Sequence, residues 1–231
     1  MKPLRVLLVF LAFAAVGLGA EPDLMKKARR LAQEFIIVDT HIDTPIRLND
    51  DEEDLTRRTK GDFDYVKAKE GGLNCAFMSI YIPSSYQQKG GAKRFAEKQI
   101  RMVERWTTTW PDKFMIARSV ADVTAQFKTG KVSLAMGMEN GAGIEDNLAN
   151  VRYFYDRGIR YVTLTHGKDN RICDSSYDTT KTWQGLSPFG RTVVEEMNRV
   201  GIMVDVSHVS DSAFYQVMRL SKAPVIASHS S

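Results

Sequence analysis

Residues 35–43 read FIIVDTHID, an apolar, β-branched run that stops at a histidine and an aspartate two positions apart. A run of this kind is the mark of a buried strand, and its polar end shows where the strand leaves the sheet. Runs of the same build recur at residues 74–82 (NCAFMSIYI), 132–138 (VSLAMGM), 159–165 (IRYVTLT), 202–207 (IMVDVS) and 224–228 (PVIAS). Between them lie amphipathic stretches with helix punctuation. Ser119-x-x-Asp122 reads as a capping box closed by Gly130, Ser187-Pro188 joins an N-cap to a first-turn proline ahead of Gly201, and Ser210 opens a helix that ends before Pro224. Residues 23–34, 92–108 and 146–157 read as three more helices. Strands alternating with helices, with nothing repeating at a fixed period, predict an α/β chain wound around a parallel sheet.

The chain has four histidines, and each falls at or just past the C-terminal end of a predicted strand: His41, His166, His208 and His229. In a parallel α/β barrel those ends converge on one face, where the βα loops build the active site. Four imidazoles arriving there make a metal site the leading expectation. His41 and Asp43 stand two apart in extended chain, so both side chains point the same way and can grip one ion. Glu139 delivers a carboxylate from the otherwise apolar VSLAMGM run, and its two oxygens can bridge two cations. Taken singly, each of these residues is as readily an ordinary polar group at a strand end; together they make a ligand set. Imidazole and carboxylate donors without thiolates point to zinc, with manganese or cobalt as substitutes. HExxH, GxSxG, GxxxxGK[ST] and GxGxxG are all absent from the sequence. Ser207-His208 and Ser228-His229 are chain neighbours that point to opposite faces of a strand, which argues against a serine hydrolase.

Composition narrows the class. With 43% apolar and 26% charged residues, 7 prolines and 16 glycines, the chain is globular, not disordered or collagenous. Its net charge of +4 comes from 32 basic residues scattered among 28 acidic ones, so no nucleic-acid partner is expected. Two cysteines, Cys75 and Cys173, are too few for a disulfide scaffold; Cys75 reads as a small buried hydrophobe, and their pairing stays open. Lys2 and Arg5 precede an uncharged run from Val6 to Ala20 that is shorter than the roughly 20 residues a membrane span needs. Residues 1–20 are therefore expected to be a secretory signal peptide, residues 21–231 the barrel domain, and the product exported, periplasmic or secreted, with no further transmembrane span. Residues 50–60 (DDEEDLTRRTK) read as a solvated excursion, and the long polar stretch 165–190 as a functional loop.

Six strings, VDTHIDTP, GMENG, LTHGKDN, QGLSPFG, MVDVSHVS and APVIASHSS, occur in this order between Val38 and Ser231. Together they closely resemble the membrane dipeptidase (renal dipeptidase) family of zinc metallopeptidases. The resemblance implies a (β/α)8 TIM-type barrel of the metal-dependent hydrolase kind, of which this chain carries about the first six strands. It implies two zinc ions, with His41 and Asp43 on one, His208 and His229 on the other, and Glu139 bridging them. His166 would contact the substrate and stabilise the oxyanion instead of binding metal. The implied reaction is attack of a zinc-bridging hydroxide on the peptide bond of a dipeptide whose C-terminal residue can have D configuration. A related binuclear amidohydrolase acting on another amide, a lactam or an ester keeps the same ligands, and a homodimer is compatible with the sequence. In the family the barrel continues past the SHSS string and supplies a substrate-binding arginine and a late-strand aspartate. The 231 residues, less the leader, fall short of the roughly 250 typical of the fold. The chain is thus expected to be the N-terminal portion of a longer enzyme, with the edges of its first and last strands exposed and little activity alone; an inactive metal-binding fragment is the non-enzymatic alternative.

Overall fold

The computed structural model describes residues 21–230. Six strands lie in one all-parallel sheet: β1 (Ile37–Ile42), β2 (Leu73–Tyr81), β3 (Phe114–Ile116), β4 (Val132–Glu139), β5 (Ile159–Thr163) and β6 (Met203–Asp205). Their order is β1-β2-β4-β5-β6, with β3 also on β4. Every residue of β4 is buried, as a central parallel strand covered on both faces must be. One edge of β4 pairs with β2; the other pairs with β3 along Val132–Leu134 and with β5 along Met136–Glu139. The sheet curls as a half-barrel. Across its concave face the Thr40 hydroxyl of β1 donates to the carbonyl of Ser228, beyond β6, and the Tyr161 hydroxyl of β5 donates to Thr40 O at 3.0 Å.

Nine helices accompany the strands among the described residues: α1 (Glu21–Glu34), α2 (Thr44–Arg47), α3 (Tyr65–Gly71), α4 (Ser85–Lys89), α5 (Ala92–Thr109), α6 (Val120–Phe127), α7 (Ala149–Asp156), α8 (Pro188–Val200) and α9 (Asp211–Leu220). On α5 the buried Ala96, Ile100, Val103 and Trp106 fall on one stripe at helical spacing, which docks the helix on the sheet. The predicted N-caps form, whereas Gly130 does not close α6, which ends at Phe127 with Lys128 as its C-cap. Ser119, Ser187 and Ser210 each accept a bond from the backbone N–H three residues on, and Gly201 ends α8 at φ +95°, a conformation open to glycine without strain. Asp122 completes its box one residue early, accepting from Arg118 N at 2.8 Å.

Several expectations need correction. Residues 224–228 form only a one-residue parallel bridge, Asp205 to Ile226, because β6 offers just two backbone hydrogen bonds there. The β3 strand was not expected, since FMI is too short a run to show periodicity. The helix predicted over 146–157 starts at Ala149: a 3-10 turn (Gly141–Ile144) precedes it, and the Asn147 side chain accepts from Ala149 N at 3.0 Å. Residues 50–60 are not solvated throughout, because Leu55 is fully buried. Cys75 and Cys173 are both buried and unpaired. The predicted leader, residues 1–20, lies outside the described residues. No helix among the described residues is long and apolar enough to cross a membrane.

Side chains on the outermost strands are partly open, Val38 on β1 at 44% and Met203 on β6 at 36%, but the outer side of β6 is not bare, because Ile226 bonds to it. Phe114 anchors the unexpected strand. It is fully buried, edge-on to Tyr65 with ring centres 5.9 Å apart and beside Phe63 at 6.1 Å. Phe114→Ala should therefore destabilise the chain by about 3–5 kcal/mol, read from urea denaturation, whereas a β3 that is merely decorative would lose under about 1 kcal/mol.

Candidate metal centre

All four histidines and Glu139 meet at the C-terminal ends of the strands. Glu139 closes β4 and is 4% exposed. Its Oε1 lies 3.1 Å from His208 Nε2 and 3.5 Å from both His166 Nε2 and His229 Nε2, and its Oε2 lies 3.3 Å from His41 Nε2. Ser79 on β2 donates to Oε2 at 3.1 Å. Asp43 sits where β1 gives way to α2. It approaches His41 Nε2 at 3.4 Å but keeps its carboxylate 60% exposed. Two groups of ligating atoms, His41/Glu139/His229 and Glu139/His166/His208, each fall within a sphere fit for one ion, and Glu139 is common to both. His166 thus occupies the same shell as the other imidazoles, and distance alone does not set it apart.

Local structure explains how the rings are aimed. His208 has a left-handed backbone, φ +66°, which is uncommon for a residue with a Cβ and costs about 1–3 kcal/mol. That turn brings its ring to the strand end, and its carbonyl is held by Ser176 N at 2.8 Å. His166 follows β5 and is held from behind, its carbonyl accepting from the Ser175 hydroxyl. Both anchors come from the polar loop 165–187, which is built around carboxylate and amide acceptors. Asp174 takes Trp183 N and Gly185 N at 2.8 Å each, and Asp169 takes Ser175 N at 2.8 Å and Thr182 N at 2.9 Å. Asn170 accepts from Ile172 N at 2.8 Å and reaches Asn140 at 3.0 Å.

The tautomer of His41 follows from its neighbours. The Tyr161 hydroxyl spends its one proton on Thr40 O, so at 3.0 Å from His41 Nδ1 it can only accept. Once neutral, His41 then carries its proton on Nδ1 and can offer the Nε2 lone pair to a cation at the centre, as outer partners of metal-binding histidines do. Tyr161 was missed in the sequence, where it reads as an ordinary strand aromatic. Tyr81 and Ser79 were missed too. Gly137 makes room for Tyr161: a Cβ there would drive into the ring.

The donor set fits a cation. His208 Nε2 and His229 Nε2 stand 2.6 Å apart, closer than two facing lone pairs tolerate without a cation or shared proton between them. Burial alone would push the Glu139 carboxyl up, but the facing imidazoles of His208, His229 and His41 hold it well below the usual carboxylate range. Burial likewise opposes the charge on His41, yet Asp43 and Glu139 outweigh it and lift His41 to about 9. Desolvation lowers His166 below its ordinary value in spite of the Glu139 charge. A folded-state value above the unfolded one stabilises fully below the unfolded pKa and fades as pH climbs through the folded one. Metal-free protein should accordingly lose melting temperature between about pH 6.5 and 9, and His41→Gln should flatten that slope.

Comparison with known proteins finds several relatives. Dipeptidase 3 of Mus musculus is 33% identical over 221 residues, covering 91% of this chain and 44% of that protein. An uncharacterised dipeptidase of Schizosaccharomyces pombe is 32% identical over 252 aligned positions, covering 98% of this chain and 62% of its own length. Among solved structures, the probable dipeptidase PvdM of Pseudomonas aeruginosa superposes with a TM-score of 0.82 at 28% identity, over 90% of this chain and 56% of that one. A metallopeptidase from Rhodobacter sphaeroides, liganded with a phosphinate mimic of the dipeptide L-Ala-D-Ala, gives 0.73 at 26% identity, over 85% of this chain and 65% of that one. The chain spans about half the length of the dipeptidase 3 proteins that it matches. The membrane dipeptidase model, peptidase family M19, matches residues 25–231, and with a His/Glu cluster fit for metal at its strand ends this chain belongs to that family of metallodipeptidases.

Proposed function

We propose that these residues carry the metal site of an exported zinc-dependent dipeptidase. The observation that carries the reading is the convergence of four imidazoles on the buried Glu139 in a chain of this family. His41 and Asp43 would hold one zinc ion, His208 and His229 a second, and Glu139 would bridge them. Bound zinc supplies an activated water and polarises the peptide carbonyl. Glu139, kept ionised by its histidines, serves as a fixed acceptor at the centre. Burial favours the neutral form of His166, and with the Tyr81 hydroxyl 3.3 Å from Nδ1 donating to that nitrogen, its Nε2–H would be the group that meets the developing oxyanion charge of the substrate carbonyl. The L-Ala-D-Ala mimic bound by the Rhodobacter relative supports dipeptides with a C-terminal D residue as substrates. The uncharged run of residues 6–20 behind Lys2 and Arg5 supports export.

A second reading rests on the share of the mouse relative that is covered, 44%: a metal-binding portion without turnover of its own. The deciding experiment assays zinc-loaded protein against dipeptides with L and D C-terminal residues, alongside lactams and esters, with zinc counted per chain. Dipeptide hydrolysis should vanish with a chelator, return with zinc and be lost in Glu139→Gln. His166→Ala should keep its zinc while kcat falls by about 10²–10³. Turnover confined to lactams or esters would move the assignment to another binuclear amidohydrolase. Two zinc ions per chain with no turnover of any dipeptide would sink the enzymatic reading for this chain.

A further inference from the structure

Beneath His229 lies a carboxylate that no part of the proposed reaction uses. Asp205 ends β6, is fully buried, and accepts five hydrogen bonds. Its Oδ1 takes Ser207 N at 3.0 Å, Ser207 Oγ at 2.8 Å and Ser228 N at 3.0 Å; its Oδ2 takes Thr163 Oγ1 at 2.5 Å and Ser228 Oγ at 2.6 Å. Ser228 Oγ also lies 2.9 Å from His229 Nδ1, so these chain neighbours meet after all: the expectation that they point to opposite faces fails because residues 227–229 are irregular and not strand. A serine hydroxyl has one proton, and here an acceptor-only carboxylate claims it at short range. Toward His229 the oxygen can only accept, so Nδ1 carries hydrogen, and the Nε2 lone pair of the neutral ring is kept for a cation beside Glu139.

From this chain of bonds we infer that Asp205, acting through Ser228, is a positioning residue that fixes the tautomer of His229 and makes it competent to bind metal. The inference rests on the zinc reading above and adds to it a residue outside the cluster itself. The same carboxylate fastens the backbone N–H of Ser207 and of Ser228, so one side chain registers β6 and the 226–229 segment and thereby sets His208 and His229 side by side. His41 is served by Tyr161 in the same manner but through a carbonyl, which a side-chain substitution cannot invert. The Asp205 arrangement can be inverted. In Asp205→Asn the two backbone donors keep the amide oxygen on their own side and turn the amide NH2 toward Ser228. The serine proton must then rotate to His229 Nδ1, which drives that ring to the Nε2–H form.

The test measures imidazole 15N shifts in the metal-free protein, zinc affinity by chelator competition, and melting temperature. In the unsubstituted chain His229 should be the Nδ1–H tautomer. Asp205→Asn should switch it, and Ser228→Ala should release it to a mixture; each should weaken zinc binding by about 10–100-fold. Ser228→Thr, which restores a hydroxyl, should return both readouts to the parent values. Thr163→Val removes a different donor from the same carboxylate and should lower the melting temperature while leaving zinc affinity and tautomer alone. The proposal falls if Ser228→Ala leaves the His229 tautomer unchanged, or if Thr163→Val weakens zinc as much as Ser228→Ala does, since that would make the cluster merely structural. Should Asp205→Asn not fold, the Ser228 pair decides. An unsubstituted chain that binds no zinc would overturn the metal reading, while the 15N shifts would still decide the relay by themselves.

Discussion

A carboxylate brought to the end of an apolar strand and left 4% exposed persists as an anion only where donors or cations surround it. Glu139 meets that condition through groups that are far apart in the chain and adjacent in space, because a parallel sheet delivers all its strand C-termini to one rim. Ser79 comes from β2, His166 from beyond β5, His208 from beyond β6 and His41 from β1. Remove the parallel topology and the donors disperse; remove the donors and burial of Glu139 becomes a penalty. The site and the sheet are therefore mutually dependent. The crowding of imidazoles that stabilises one anion is costly among the imidazoles themselves, which is why the donor set calls for a cation.

The sequence exposed most of this rim. All four histidines stand where an apolar run breaks into polar residues, and that signal needs only local chemistry. The six ordered strings in turn carried the family, and the family model covers residues 25–231. What stayed hidden depends on partners from other strands. Tyr161 in IRYVTLT looks like any strand aromatic until its hydroxyl is seen between Thr40 and His41. Asp205 in DVSH looks like one more polar residue near a histidine. Gly137 has a packing reason that only the facing ring of Tyr161 reveals. β3 escaped because three residues are too few to show a period, and residues 224–228 misled because an apolar run forms a strand only as far as a neighbour offers pairing.

The polar loop after β5 belongs to the site as much as the strands do. Around the buried Ile172, Cys173 and Leu186 it sets Asp169, Asn170 and Asp174 as acceptors for backbone N–H groups, and through Ser175 and Ser176 it grips the carbonyls of His166 and His208. Such a loop is held by many directional bonds that break together once water enters.

Inside that loop sits Cys173, a free thiol with no accessible surface, its ionisation pushed up first by burial and then by Asp174 and Asp169. Alkylating reagents need an exposed thiolate, so this sulfur can react only during moments when the loop has come apart. Cys75 lies in β2, and burial pushes its thiol up to about 11; exposing it requires the sheet itself to open. The chain thereby contains two built-in clocks with different springs. One ticks with the opening of the segment that holds two of the site's histidines, the other with the unfolding of the sheet, and the ratio of their labelling rates reads how far the site can breathe while the fold stays shut.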